Sequence, residues 1–177
     1  MTSIYEPSDD SYLLKETLEK NIPIMVNKNP NLKFLEIGCG SGIQLETALN
    51  LGMKKENIFS CDIHQIAVKK CKNLGLNCVK SDLFEKIKGK FDLIIFNPPY
   101  LPENKFDKEK DTTGGKKGSE VINKFLIQSK NHLNSKGKIL ILTSSLTKGI
   151  NWLNFKKKLL AKQKLFFEEL YVYGLSL

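Results

Sequence analysis

Asn97-Pro98-Pro99-Tyr100 breaks abruptly from Phe91-Asp92-Leu93-Ile94-Ile95-Phe96, whose near-continuous apolar character marks a central strand covered on both faces. Two acceptors stand side by side there, the Asn97 side-chain oxygen and the Pro98 carbonyl. Together they can hold both N–H groups of a planar amide or an aromatic amine. The lone pair of such a nitrogen is delocalised, so it is a poor nucleophile. Acceptors that favour its pyramidal form act on the transition state. The prolines fix φ and remove competing N–H donors, and Tyr100 can stack on a planar acceptor. The chemistry this suits is transfer of a methyl group to a planar nitrogen, driven by positioning. No strong general base is evident. The alternative, a plain turn, must explain why the tetrapeptide follows a central strand 59 residues beyond Gly38.

A second constellation could hold the donor. Leu35-Glu36-Ile37-Gly38-Cys39-Gly40-Ser41-Gly42 joins a strand to a helix. Gly38 and Gly40 let the backbone turn sharply and approach a ligand at the carboxyl end of a sheet. The spacing is G-x-G-x-G, not the G-x-G-x-x-G that opens a pyrophosphate site. Dinucleotide enzymes use a similar turn, so alone it is a weak signal; the spacing helps separate them, since S-adenosylmethionine has no phosphate to cap. Asp62, 24 positions after Gly38, can accept both ribose hydroxyls, and Asp82 can accept the adenine amine. Solvated or capping turn residues are the alternative for both. Glu36 either bonds the cofactor's amino group or serves a local partner.

The elements that must position these groups alternate strand-like and helix-like, the pattern of a parallel α/β sheet. Ser8 or Asp9 caps a helix through about Lys20, with Tyr12, Leu13 and Leu14 as its apolar residues. Strands are expected at Lys33–Ile37, Ile58–Cys61, Leu76–Val79, Phe91–Phe96 and Lys138–Thr143, with a final one over Glu169–Tyr173. Helices are expected from about Gly42 to Asn50, after Asp62 through Leu74, and from Ser119 to about Asn134. Leu101–Gly118 reads as a long loop, and such loops are usually functional or mobile. Lys156-Lys157-Lys158 ends a helix or protects an edge strand.

With 177 residues and no internal repeat or linker, the chain is expected to be one domain spanning residues 1–177. It has no apolar run long enough for a membrane span and no signal-peptide pattern at its start, so a cytoplasmic location is expected. The four cysteines, Cys39, Cys61, Cys71 and Cys78, form no C-x-x-C pair and read as reduced core thiols. With only His64 and His132 to add, no metal site is expected. A net charge of +9 points toward an acidic partner, but the lysines are spread along the whole chain. Nucleic acid is therefore the less favoured substrate.

Taken together, Leu35–Gly42, Asp62, Asp82 and Asn97–Tyr100 resemble the class I methyltransferases that modify glutamine or exocyclic amines. Tyr5–Leu14 is similar to the N-terminal signature of the HemK-related branch of archaea and eukaryotes, and Gly114–Ile122 to its glycine-rich segment. The resemblance implies a Rossmann-like fold with a seven-stranded, mostly parallel sheet flanked by helices. It implies methylation of the glutamine in the Gly-Gly-Gln loop of a class 1 translation release factor, with an adenine amino-methyltransferase as the alternative. It also implies a small zinc-binding activator subunit. By the same resemblance, Ser11, Glu36, Gly38, Gly40, Asp62, Asp82 and Asn97 would contact S-adenosylmethionine. Asn97 and the Pro98 carbonyl would hold the target amide, with Pro99 and Tyr100 beside it. The chain departs from the family in two respects. The segment after Leu146 is short, which leaves open a trimmed last helix and penultimate strand. A counterpart of the N-terminal helical domain of bacterial relatives is expected to be missing.

Overall fold

A computed structural model describes residues 5–103 and 113–177. The chain opens with α1 (Asp9–Lys28) and then β1 (Phe34–Ile37), α2 (Ile43–Asn50), β2 (Ile58–Asp62), α3 (Gln65–Asn73), β3 (Asn77–Lys80) and β4 (Phe91–Phe96). After the undescribed residues come α4 (Glu120–Ser129), β5 (Leu133–Ser144), β6 (Lys156–Lys164) and β7 (Glu169–Ser176). The strands make one seven-stranded sheet in the order β3-β2-β1-β4-β5-β7-β6. β1 to β5 run parallel, while β7 pairs antiparallel with both β5 and β6.

Period-two alternation along strands covered on both faces divides the core into two layers. Leu93, Ile95 and Leu140 pack on one side with Leu14 and Leu18 of α1, Leu45 of α2 and Val68 of α3. Ile94, Phe96, Ile139 and Ile141 point the other way, onto Ile122, Phe125 and Leu126 of α4. Phe125 is fully buried between Phe84 and Phe96, with ring centroids 5.5 and 4.8 Å away. Burying such a ring is worth about 1.5–3 kcal/mol.

Strand order reverses between β1 and β4, where Ile37 is the register partner of Phe96. In open α/β sheets a ligand crevice forms outside the carboxyl ends at such a reversal. Gly38 and Asn97 are the first residues beyond that pair, so topology alone brings the glycine turn and the Asn-Pro-Pro-Tyr loop together.

Several boundaries differ from the sequence reading. α1 runs on to Lys28 with Pro23 inside it. Ile22, fully buried, and the partly buried Met25 and Val26 keep the helix on the core despite the lost backbone hydrogen bond. Tyr12 is half exposed rather than a core residue. α4 ends at Ser129, and β5 begins early, at Leu133, which pairs with Phe91 across a register shift. The Lys156–Lys158 stretch opens the edge strand β6, so the penultimate strand is retained. No helix occupies residues 145–155; Trp152 and Phe155 pack on the core there instead. Residues 104–112 of the expected Leu101–Gly118 loop lie outside the described residues, as do residues 1–4.

Candidate functional site

At the carboxyl end of the sheet lies a cleft of about 660 Å³. Ser11, Glu36, Gly38, Gly40, Asp62, Asp82, Asn97, Pro98, Pro99 and Tyr100 all line it. Two lie in the sheet itself, Glu36 in β1 and Asp62 at the end of β2, while Gly38 and Asn97 directly follow β1 and β4.

The glycine turn is held from below by β2. The N–H groups of Gly38 and Cys39 both donate to the Cys61 carbonyl, at 2.9 and 3.1 Å. Gly38 and Gly40 have φ of 69° and 45°, a region that disfavours side chains. Asp62 is 6% exposed, and its two oxygens accept N–H bonds from Gly40 at 2.9 Å and His64 at 2.8 Å. The carboxylate therefore ties the turn down, and each oxygen keeps lone-pair capacity for a ribose hydroxyl. Asp82 is more exposed and pairs with Lys124 Nζ at 2.8 Å.

Glu36 is buried, and its Oε2 has no hydrogen-bond partner. Burial, then the neighbouring Asp62 charge and Cys78, push its carboxyl well above the ordinary carboxylate range. An orphaned buried oxygen on the cleft wall is a fitting partner for a cationic amine, such as the amino group of an amino-acid cofactor. The site's residues thus fit S-adenosylmethionine: an acceptor for its ammonium, a carboxylate for its ribose and a glycine turn against its body.

The acceptor end is organised by Asp10, a residue sequence reasoning passed over. Asp10 is 4% exposed. Its Oδ2 accepts Asn97 Nδ2 at 3.1 Å and the Tyr100 hydroxyl at 3.4 Å, while Tyr5 donates to both oxygens at 3.2 Å. Its Oδ1 also takes the Ser11 hydroxyl at 3.1 Å. A carboxylate only accepts, so it fixes the amide nitrogen of Asn97 toward itself and turns Oδ1 away. That Oδ1 is buried and unpartnered. Burial and the nearby Asp10 charge hold the Tyr100 phenol far above its usual pKa, and the same causes push Tyr5 up to about 12, so both remain neutral donors. Gln44 was also missed; its Nε2 donates to the Ser11 carbonyl at 2.8 Å, joining α2 to α1 at the cleft. The one sequence signal for Asp10 was its membership of the Tyr5–Leu14 stretch. Its partners, 87 and 90 positions away, are visible only in the fold.

The Gly114–Ile122 segment backs the Asn-Pro-Pro-Tyr loop. A Cβ on Gly114 would sit 2.3 Å from the Pro99 carbonyl oxygen, and one on Gly118 2.2 Å from that of Tyr100. Gly114 N–H donates to the Leu101 carbonyl at 2.9 Å, and Thr147 Oγ1 to the Tyr100 carbonyl at 2.8 Å. On the far wall, Leu165 and Glu168 flank the exposed aromatic pair Phe166 and Phe167, which are 92% and 85% exposed. Across the described residues, no helix is long and apolar enough to cross a membrane.

The Methyltransferase small domain family matches residues 8–164. Among proteins similar in sequence, a Methanocaldococcus jannaschii chain described as a putative protein N5-glutamine methyltransferase is 38% identical over 96% of this chain and 89% of that protein. The eRF1 methyltransferase catalytic subunit mtq2 of Schizosaccharomyces pombe is 31% identical over 76% of this chain and 69% of that one. Among solved structures, the E. cuniculi Mtq2-Trm112 complex, which methylates the eRF1 translation termination factor, superposes with a TM-score of 0.76. It is 23% identical and covers 99% of both chains, a likeness of fold.

Proposed function

The chain belongs to the Methyltransferase small domain family, and from that premise we propose that it methylates the side-chain amide nitrogen of a protein glutamine. The acceptor we assign is the glutamine of the Gly-Gly-Gln loop in a class 1 translation release factor, in line with what its relatives are named for. The methyl donor is S-adenosylmethionine, which supplies an electrophilic methyl on a sulfonium. Glu36 holds the donor's ammonium, Asp62 its ribose and Asp82 its adenine. Ser11, Gly38 and Gly40 complete that wall. At the other end, Asn97 Oδ1 and the Pro98 carbonyl accept the two amide N–H groups, and Pro99 and Tyr100 confine the amide plane.

The observation that carries this reading is the buried, partnerless Asn97 Oδ1, held outward by Asp10. A preorganised acceptor costs no reorganisation when the nitrogen pyramidalises. Asn97 accepts a hydrogen bond but takes no proton, so the proton lost from nitrogen leaves to water. Phe166 and Phe167 offer apolar contact to a protein loop entering the cleft. The reading takes residues 1–177 as one methyltransferase domain working in the cytoplasm, with a small zinc-binding activator subunit as partner.

The test offers radiolabelled S-adenosylmethionine with a release factor, its variant with the Gly-Gly-Gln glutamine replaced, and DNA or RNA. Label is expected in the first alone. Label in nucleic acid but not in the intact factor would establish the adenine reading instead.

A further inference from the structure

Three buried thiols meet behind the glycine turn. Cys39 belongs to the turn, Cys71 to the end of α3 and Cys78 to β3. Cys39 Sγ lies 3.3 Å from Cys71 Sγ and 3.7 Å from Cys78 Sγ, and all three sulfurs are within 4.8 Å of one another. Cys61, also buried, stands apart and donates to the Leu83 carbonyl at 3.3 Å. Thiols in a core are normally dispersed small hydrophobes; three converging sulfurs can serve as a ligand set.

We propose that Cys39, Cys71 and Cys78 form a site for one soft d¹⁰ cation, Cu(I), bound by three thiolates. A metal–sulfur bond of about 2.3 Å spaces the corners of a trigonal set about 4.0 Å apart. The observed triangle needs adjustment of less than about an ångström to reach that spacing. Thiolates select Cu(I) and zinc over harder ions. Zinc completes a tetrahedron with a fourth ligand, a side chain or a water; the described cluster offers three sulfurs, all buried, which suits the lower coordination number of Cu(I). As three sulfur–metal bonds form, the protons these sulfurs still carry leave to solvent. Lys72 adjoins Cys71 and interacts with Cys78, which offsets part of the negative charge. Cys39 lines the donor cleft, so an ion can enter from that side. Gly40, the next residue, is the one Asp62 pins. Binding the ion would shift that turn and weaken donor binding. The site stands independently of the acceptor assigned above.

The test titrates the reduced full chain with Cu(I) without oxygen, against a competing chelator, and repeats the titration with Zn(II). One Cu(I) per chain is expected, with a sulfur-to-copper absorption band in the ultraviolet and three sulfur neighbours by X-ray absorption. Cys71→Ser and Cys78→Ser should each weaken uptake at least about 100-fold, while Cys61→Ser should bind as the parent does. Circular dichroism identifies any variant that fails to fold, and the X-ray absorption of the parent chain does not depend on variants. Absence of uptake by the folded parent would overturn the proposal. So would undiminished uptake in a folded Cys71 or Cys78 variant, or a shell of only two sulfurs. Zn(II) displacing Cu(I) at equal concentration would overturn the choice of ion.

Discussion

Asn97 and Asp10 act as one unit, and their substitutions should show it. Replacing Asn97 by Ala deletes an acceptor used in the transition state, so methyl transfer should fall by about 10²–10³ or more. Donor affinity, measured by calorimetry, should change only modestly. Asp10→Asn keeps the size but offers a donor as well as an acceptor, so the Asn97 amide loses its fixed orientation. A drop in kcat of about 10-fold or more is expected, with little change in donor affinity. Once Asn97 is Ala, Asp10→Asn should cost little more, because coupled residues are not additive. Additive losses would mean that Asp10 acts on something else.

Glu36 gives a prediction with a sign. Its folded pKa is raised, so the folded chain holds a proton that the unfolded chain releases near 4.5. Its contribution to stability is thus full below that pH and is lost as pH rises through the folded pKa. Glu36→Gln should flatten this part of the pH–stability curve and stabilise the ligand-free protein at neutral pH. Donor binding should move oppositely. Pairing an ammonium with Glu36 expels its proton, so parental affinity rises with pH through that pKa. The Gln variant should bind about 10–100-fold more weakly and lack the rise, which calorimetry in buffers of differing ionisation enthalpy would detect as lost proton release.

At the scale of elements, the local signals that succeeded were those whose cause is local. β4 is apolar along nearly its whole length because both faces are covered, and the proline pair ends it where the loop must begin. The Gly38–Gly42 turn carries its positive φ in its composition. The elements misjudged were decided by distant contacts. A proline disfavours a helix interior, yet Met25 and Val26, packed on the core beyond it, carry α1 five residues past Pro23. β5 starts before Gly137 because Leu133 finds Phe91 across a register shift. Asp10 gave no signal beyond its stretch, since its role depends on two partners 87 and 90 positions away in sequence. The Gly114 segment lies between these cases: its glycines were visible, but their reason is the approach of another loop's backbone. Gly114 has no positive φ, so a side chain there is excluded by contact alone. Gly114→Ala must displace the Pro99 carbonyl. We expect a loss of about 1–3 kcal/mol in unfolding free energy and a fall in kcat of at least about tenfold, with donor affinity kept. Unchanged turnover would mean that the loop tolerates displacement of its backbone.

At the scale of the whole molecule, the two free edges of the sheet are treated differently. β6 carries Lys156, Lys157, Lys158, Lys162 and Lys164 and a register shift between Leu159 and Ala161, all devices that discourage a further strand. Lys157 also lies over the rings of Trp152 and Tyr173, at 4.4 and 4.6 Å. These lysines account for part of the +9 charge, which is why net charge alone did not identify a nucleic-acid substrate. β3 is a short edge of Asn77-Cys78-Val79-Lys80, with Val79 40% exposed and Ile66 of the preceding helix 49% exposed. If the proposed activator adds to the sheet, physics directs it to β3. Val79→Lys should then weaken activator binding at least about tenfold in a pull-down or calorimetric titration while leaving donor affinity unchanged. Leu159→Lys on β6 should change neither activator binding nor donor affinity. Equal binding by the Val79 variant would place the activator elsewhere, and full activity of the isolated chain would make that subunit unnecessary.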